Sequence, residues 1–151
     1  MIKTYVQNCF NGVGQSYIYI WLSKNHQVVY VGMTNRYSGT IGRADGHFNV
    51  TGTFRKRFIQ NKGYNIERVT DMILLSFPLP NKKEYYSEER SYREAVEFLV
   101  HKELLRKRTK VNPTYDVVAW VRDAPKRTGN YEVQKLANEI SQAFFAQYVN
   151  L

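Results

Sequence analysis

The sequence predicts an α/β domain: a small, mostly antiparallel sheet of three core strands, flanked by helices and followed by a C-terminal helical extension. Two runs rich in β-branched and aromatic residues lie close together near the N-terminus. A long helical pattern occupies the middle of the chain, and an amphipathic pattern closes it. The length of 151 residues favours a single domain. We place its core at about residues 16–113 and the extension at 114–151.

The first two strands are expected to form a hairpin. Residues 16–23 and 27–34 have the composition of strands, and residues 24–26 between them are few enough for a tight turn. The following stretch, residues 35–52, contains four glycines. That composition favours a loop, with at most a short helix over residues 41–48.

A short basic helix and a third strand are expected next. Residues 53–60 form a helical pattern, with Thr53 as a candidate N-cap and Gly63 as its end. Residues 66–77 alternate between apolar and polar well enough for a strand, which Pro78 ends.

The second half of the chain is mainly helical in pattern. Residues 87–108 form the longest helix, with Ser87 as a candidate cap and basic residues in the last turn, where they suit the helix dipole. Residues 116–122 are a candidate fourth strand at an edge of the sheet, and residues 131–149 a closing helix.

Composition narrows the classes of function. The 22 Lys and Arg residues exceed the 13 Asp and Glu residues, a net charge of +9, which favours a polyanionic partner such as nucleic acid. The single cysteine, Cys9, cannot form an internal disulfide, and no cysteine–histidine cluster suggests zinc. Because no apolar run could span a membrane and no secretory signal opens the chain, we expect a cytoplasmic protein with no membrane partner.

Two tyrosines on the predicted hairpin are the first candidates for chemistry. Tyr19 and Tyr30 lie on opposite arms, and the two-residue period of strands lets both rings project into one site beside Gly32. Each tyrosine taken singly is more typical of packing on a sheet face. Metal-ligand triads, nucleophile elbows and phosphate-binding loops are absent from the sequence.

These strands resemble the two motifs of the GIY-YIG nuclease family. Tyr17-Ile18-Tyr19 stands where the first tripeptide would be, with Tyr17 in place of its glycine, and Tyr30-Val31-Gly32 stands where the second would be. Met33, next in the chain, stands where some members carry a lysine. The resemblance extends over residues 17–112, about two-thirds of the chain.

The later positions of the family pattern also have counterparts, in order. Arg43 and His47 have the spacing of the arginine and histidine in the homing-endonuclease branch, although Arg43 lies further from the second tripeptide than is usual. Arg36 is therefore its rival. Glu97 and Asn112 match the glutamate and asparagine that end the pattern.

The metal-binding glutamate has a rival in Glu103. On a helical wheel Glu103 points into the apolar stripe, whereas Glu97 flanks it. We prefer Glu97 because its spacing to Asn112 matches the family pattern and because a metal-binding carboxylate belongs at the edge of a core.

The resemblance implies a divalent-metal-dependent endonuclease that hydrolyses phosphodiester bonds of DNA. Glu97 would hold one Mg²⁺ or Mn²⁺ ion, with waters and phosphate oxygens as the other ligands. Arg43 would clamp a phosphate oxygen, and Tyr30 would activate or orient the attacking water with Tyr19 hydrogen-bonding beside it. An ordinary tyrosine, with a pKa of about 10, is a poor base near pH 7 and needs a nearby cation to serve as one.

Basic residues outside the motifs are candidates for contacts to nucleic acid. They are Arg36, Arg55, Lys56, Arg57, Lys62, Arg106, Lys107 and Arg108. The aromatic residues interleaved with the first group could stack on bases or simply anchor the short helix, and anchoring is the preferred role for Phe58.

Two other classes of function remain open from the sequence. A catalytically inactive GIY-YIG-like module that binds nucleic acid would tolerate the lost glycine and the displaced arginine. A basic protein-interaction domain would use every aromatic residue for packing. No DNA-reading module is attached, so specificity would come from the loop at residues 35–52, the extension, a homodimer or a partner protein.

Overall fold

The computed structural model describes residues 14–34, 39–86, 89–119 and 123–151, without the side chains of Ile41 and Arg43. Its elements, in chain order, are β1 (Tyr17–Ser23), β2 (Val28–Thr34), α1 (Gly39–Phe48), α2 (Thr53–Lys62), β3 (Ile73–Pro78), α3 (Lys83–Tyr86), α4 (Ser91–Lys107), β4 (Asp116–Val117) and α5 (Tyr131–Asn150). The predicted α/β class is confirmed. Among the described residues, no helix is long and apolar enough to cross a membrane.

In the described part of the chain, the sheet has four strands in the order β3-β1-β2-β4. β1 pairs antiparallel with both β2 and β3, which confirms the predicted three-stranded antiparallel core. The fourth strand is β4, which pairs parallel with β2 through Val28 and Val29. Of the residues predicted for this edge strand, only Asp116 and Val117 form it, and residues 120–122 lie outside the described part.

Side chains of the central strands divide between two hydrophobic clusters because consecutive residues of a strand point to opposite faces. The first cluster joins one face of the sheet to α4 and α5 and includes Ile18, Ile20, Val29, Val31, Val96, Val100, Leu104, Ile140 and Phe144. The second joins the other face to α2 and includes Tyr17, Tyr19, Trp21, Val28, Tyr30, Phe54 and Phe58. We call these the aliphatic face and the aromatic face of the sheet.

The glycine-rich segment forms more helix than its composition predicts. α1 spans Gly39–Phe48, although Gly42 and Gly46 in its interior each lower helix propensity by about 1 kcal/mol relative to alanine. Packing outweighs this penalty, since the helix buries His47 and presents Phe48 to the aromatic face.

Two local predictions were wrong. The N-cap of α2 is Gly52 rather than Thr53, which is already helical; the predicted end at Gly63 is confirmed, with φ of 74° and a backbone hydrogen bond to Ile59. The third strand begins at Ile73 rather than at residue 66, because Ile66–Arg68 forms a 3₁₀ turn that buries Ile66.

The long central helix is shorter at its N-terminus than predicted. α4 begins at Ser91, and the short helix α3 precedes it; the predicted cap, Ser87, lies outside the described residues. The closing helix α5 begins as predicted, at Tyr131, where the Asn130 side chain accepts a hydrogen bond from the Val133 N–H and so caps it.

Candidate active site

The structure brings three of the predicted site residues together on the aromatic face. Tyr19 lies on β1, Tyr30 on β2 and His47 near the end of α1. The Tyr19 hydroxyl and the His47 Nε2 atom are 2.7 Å apart, a hydrogen bond. The two tyrosine rings stack at a centroid distance of 6.4 Å, and each lies 5.1 Å from the imidazole.

This tyrosine–histidine cluster is almost fully buried. Tyr19, Tyr30 and His47 are 1%, 8% and 3% exposed. Phe54 closes one side of it, with its ring stacked 4.9 Å from Tyr30. In such a low-dielectric setting a hydrogen bond between a hydroxyl and an imidazole fixes both groups more firmly than it would in water.

Gly32 allows the close approach of β2 to the Tyr19 side chain. The two residues are partners across the β1–β2 pair, and a Cβ atom at position 32 would collide with the ring and hydroxyl of Tyr19. Packing against Tyr19, the last residue of the first tripeptide, therefore requires a glycine at position 32, the last residue of the second tripeptide.

We expect Gly32→Ala to destabilise the protein by about 1–3 kcal/mol, because Tyr19 must leave its rotamer or the strands must separate. The measurement is the free energy of unfolding from urea titration. The matched control is Gly46→Ala, at an exposed position on α1 where a Cβ meets nothing, and it should be neutral or stabilising by up to about 1 kcal/mol. Equal stability of the two variants would contradict this account of Gly32.

Tyr17, which replaces the family glycine, connects β1 to the start of α1. Its hydroxyl donates a hydrogen bond of 2.7 Å to the Gly39 carbonyl oxygen, and its buried ring meets Tyr19 edge-on. Sequence reasoning missed this role because the Gly39 carbonyl, 22 residues away, is identifiable only once the helix is placed. Tyr17 therefore helps to orient the helix that carries His47.

Arg43 and His47 both lie on α1, four residues apart and therefore one turn from each other. The side chain of Arg43 lies outside the described part of the structure, as do residues 35–38 with Arg36. Asn112 is exposed in the loop after α4. The next residue, Pro113, accepts a hydrogen bond from the Tyr148 hydroxyl of α5, a residue of the aliphatic face.

Glu97 lies on α4, the helix that packs on the other face of the sheet. The helix packs on the aliphatic face through Val96 and Val100, and Glu97 is half-buried beside them. Leu99 and Glu103 mark the flank of α4 that faces α5, because they line a shallow pocket together with residues of that helix.

The opposite flank of α4 faces the outer edge of β2. His101 on this flank interacts with the backbone of Ala119, and Ala119 packs against both faces of the sheet. Helical periodicity puts Glu97 on the same flank, one turn nearer the N-terminus of α4. Glu97 and the tyrosine–histidine cluster therefore lie on opposite sides of the sheet, with Glu97 on the side of the aliphatic face.

Several predicted nucleic-acid contacts are engaged within the protein. Arg55 pairs with Glu67 and also donates to the Phe48 carbonyl oxygen, and it therefore joins α2 to the end of α1. Lys62 pairs with Asp116 at 2.8 Å. Lys56 is exposed on α2, and the neighbouring Arg57 Nη1 atom donates to the Gln60 side chain.

The basic end of α4 is partly neutralised by one carboxylate. Arg106 and Lys107 lie 2.7 Å and 3.0 Å from the Glu103 carboxylate. Hydrogen bonds from Arg106 and then Lys107 lower the pKa of Glu103 to about 2 against the opposing effect of burial. Arg108 is exposed at the helix end. Glu103, the rival candidate for the metal, is thus part of a surface ion-pair network.

The aromatic residues near α2 serve as anchors rather than as base-stacking platforms. Phe54 and Phe58 are both 0% exposed, which agrees with the preferred role for Phe58. Tyr64 is half-buried, and its hydroxyl is 2.6 Å from His26 Nδ1.

The side chains that could bind a metal ion are few and scattered in the described part of the chain. Within the described ranges, no group of three or more histidine, cysteine, aspartate or glutamate side chains could enclose an ion. The residue predicted for the metal is a single half-buried carboxylate, Glu97. This donor suits Mg²⁺ or Mn²⁺ in sites where water and substrate phosphate supply the remaining ligands, because Mg²⁺ in particular retains several waters and rarely occupies an all-protein cage.

No protein-family model, curated protein or solved structure matches this chain. The resemblance to GIY-YIG nucleases therefore rests on the two tripeptides, the later residues in their order and spacing, and the chemistry that these positions support.

Proposed function

We propose that this protein is a divalent-metal-dependent endonuclease that hydrolyses phosphodiester bonds of DNA, as its resemblance to GIY-YIG nucleases implies. The observation that carries the proposal is the tyrosine–histidine cluster: Tyr19, Tyr30 and His47 come from three separate elements and meet at one point, with Tyr19 and His47 hydrogen-bonded. Gly32 supports it because it permits this approach.

The cluster provides groups that can accept and hold a proton. In the proposed mechanism the Tyr30 hydroxyl orients or deprotonates the attacking water. The Tyr19 hydroxyl and the His47 imidazole form a hydrogen-bonded pair beside it, which holds both groups in place. As the resemblance implies, Arg43, one turn before His47 on α1, would supply the guanidinium that clamps a phosphate oxygen.

Glu97 would hold the metal ion. Bound there, a divalent cation would neutralise charge on the phosphate and assist the leaving 3′ oxygen. The position of Glu97 supports this role because a half-buried carboxylate on a well-packed helix beside the core is held in place and still partly exposed.

DNA is the proposed partner because of the net charge of +9. Lys56 and Arg108 are exposed and would contact phosphates first, whereas Arg106, which is also exposed, pairs with Glu103. A second copy of the chain or a partner protein would supply specificity or the cut on the second strand. The single cysteine, Cys9, accords with a reducing cytoplasm as the location.

The decisive test incubates the purified chain with supercoiled, linear and single-stranded DNA in Mg²⁺, Mn²⁺ or EDTA. We expect nicked and linear products with either metal and none with EDTA. Binding without any cleavage, in both metals and on all three substrates, would overturn the nuclease assignment.

The clamp arginine can be identified by mutation. We expect Arg43→Ala to lower turnover by about 10²-fold or more, the scale for losing one donor to the transition-state charge. Arg36→Ala is the matched control and should mainly weaken DNA binding. Single-turnover rates at saturating protein, together with binding measured in EDTA, separate the two effects. If Arg36→Ala lowers turnover and Arg43→Ala mainly weakens DNA binding, Arg36 is the clamp.

A nucleic-acid-binding module without catalysis is the second candidate. The observation in its favour is that Tyr19 and His47 are 1% and 3% exposed, as in a packed core. This module would bind DNA with strong salt dependence but would not cut it.

A further inference from the structure

The strand β3 forms one outer edge of the sheet. In the described ranges, β1 is the only strand that pairs with it. Residues 72–81, which include all of β3, carry no charged side chain, although charged residues make up 23% of the chain. Proteins usually protect such an edge with charges, bulges or prolines, and β3 has an unbroken register and only Pro78 at its end. An edge with so little protection can accept a further strand.

The backbone of β3 has hydrogen-bonding groups that point away from β1. Just beyond the strand, the Leu79 N–H donates to the Ser16 carbonyl oxygen at 2.8 Å. Because hydrogen-bonded and non-hydrogen-bonded positions alternate in an antiparallel pair, the other odd-numbered residues of β3 also direct their N–H and C=O groups at β1. The N–H and C=O groups of Leu74 and Ser76 therefore point outward, along the open edge.

The apolar side chains of β3 are only half-buried. Ile73, Leu75 and Phe77 lie on the aliphatic face and pack against its core, and each of them keeps part of its surface exposed. Leu74 is half-buried on the aromatic face. A strand added along this edge would cover apolar surface and bond the outward N–H and C=O groups at the same time.

We propose that this added strand is β3 of a second copy of the chain, paired antiparallel about a twofold axis that passes between the two Leu75 residues. In this register Leu74 of each copy lies opposite Ser76 of the other, and the two residues exchange both of their outward hydrogen bonds. On the aliphatic face, Leu75 meets Leu75 at the axis. On either side of it, Ile73 of one copy meets Phe77 of the other, an aromatic–β-branched pair of the kind that stabilises sheets.

The charge of the chain favours this edge as the contact between two copies. Each copy has a net charge of +9, so two copies repel each other, and an uncharged edge is where they can approach closely. Two strands of six residues bury less than the about 1,200 Å² of a standard interface, so we expect a dissociation constant in the micromolar range. The pairing goes beyond the proposed function and does not require the chain to cleave DNA.

Association is measured on the intact chain without DNA, by sedimentation velocity from low micromolar to several hundred micromolar protein. We expect a monomer–dimer equilibrium that shifts toward the dimer at higher salt, because salt screens the repulsion between the two positive chains. Leu75→Lys places two like charges opposite each other and should abolish the dimer. Ser76→Pro removes one outward N–H from each copy, leaves the hydrogen bonds to β1 intact, and should raise the dissociation constant about tenfold or more.

The matched control is Val50→Lys, which adds the same charge away from β3. Val50 is 77% exposed in the turn between α1 and α2. In this variant the dissociation constant should stay within about twofold of the wild-type value in salt. Thermal midpoints establish that each variant is folded.

Amide hydrogen exchange tests the same edge without any substitution. The N–H groups of Leu74 and Ser76 should gain protection as protein concentration rises, whereas those of Leu75 and Phe77 are bonded to β1 and should be protected at every concentration. A chain that stays monomeric throughout would overturn the proposal. A dimer that neither β3 variant weakens would also overturn it, because the interface would then lie elsewhere. Protection of Leu74 and Ser76 that does not depend on concentration would overturn it too, because another part of the same chain would then cover the edge.

These outcomes are separate from those of the nuclease test. A dimer that Leu75→Lys dissociates, in a chain that cuts no DNA, would support the strand pairing and reject the nuclease. DNA cleavage by a chain that stays monomeric, with exchange at β3 independent of concentration, would support the nuclease and reject the strand pairing.

Discussion

Replacement of Glu97 with glutamine is expected to lower metal-dependent DNA cleavage by about 10³-fold or more while the protein keeps its fold. The amide has nearly the shape of the carboxylate but lacks the anionic oxygen that a hard cation requires, and the metal contributes several kcal/mol to the transition state. Because Glu97 is half-buried on the flank of α4, its replacement disturbs neither Val96 nor Val100 in the core. Single-turnover rates and thermal midpoints measure the two effects separately.

The matched control is Glu103→Gln, six residues and about one and two-thirds turns further along α4. Glu103 pairs with Arg106 and Lys107 on the surface, and the loss of such pairs costs about 0–1 kcal/mol. We therefore expect a small change in stability and wild-type cleavage. A loss of cleavage in Glu103→Gln alone would transfer the metal site to Glu103, next to the pocket between α4 and α5.

The central sheet could be predicted from sequence because local and tertiary signals agree there. The β1–β2 hairpin needs only alternation, β-branched composition and a short turn, and its observed register pairs Tyr19 with Gly32. The structure differs from the sequence-based prediction where tertiary packing overrides the local preference of the chain. Residues 66–68 alternate like a strand but form a 3₁₀ turn so that Ile66 can enter the aromatic face. The glycines of α1 predict a loop, yet the burial of His47 stabilises a helix.

In the candidate site, too, some features could be predicted from local sequence and others depend on tertiary packing. Motif spacing was sufficient to select Tyr19, Tyr30 and His47, which the structure brings together. The parallel pairing of β4, the contact of Tyr17 with the Gly39 carbonyl and the interaction of His101 with Ala119 all depend on where the backbone of distant segments lies. No local pattern encodes these positions. Likewise, a run of basic residues in the sequence does not reveal that Arg55 and Lys62 form ion pairs with acidic residues.

A Tyr30→Phe variant distinguishes a catalytic role of the tyrosine pair from a packing role, because it keeps the buried ring and removes only the hydroxyl. Tyr30→Phe removes one hydroxyl from a side chain that is 8% exposed and leaves the ring stacked against Phe54 at 4.9 Å. If the tyrosines serve only as core, the change costs about 1–3 kcal/mol at most, the range for one buried hydrogen-bonding group, and affects no reaction.

The nuclease proposal predicts a much larger effect on rate. If the Tyr30 hydroxyl activates or aligns the attacking water, Tyr30→Phe should lower single-turnover cleavage by about 10²–10⁴-fold, the usual contribution of a general acid or base. Tyr131→Phe is the matched control, because Tyr131 is 73% exposed at the start of α5 and should change neither cleavage nor the thermal midpoint. A Tyr30→Phe protein that melts and cuts like the wild type would reduce the tyrosine pair to packing. The catalytic base would then have to be sought elsewhere, and a wild-type chain that binds DNA without cutting it would make the binding module the better description.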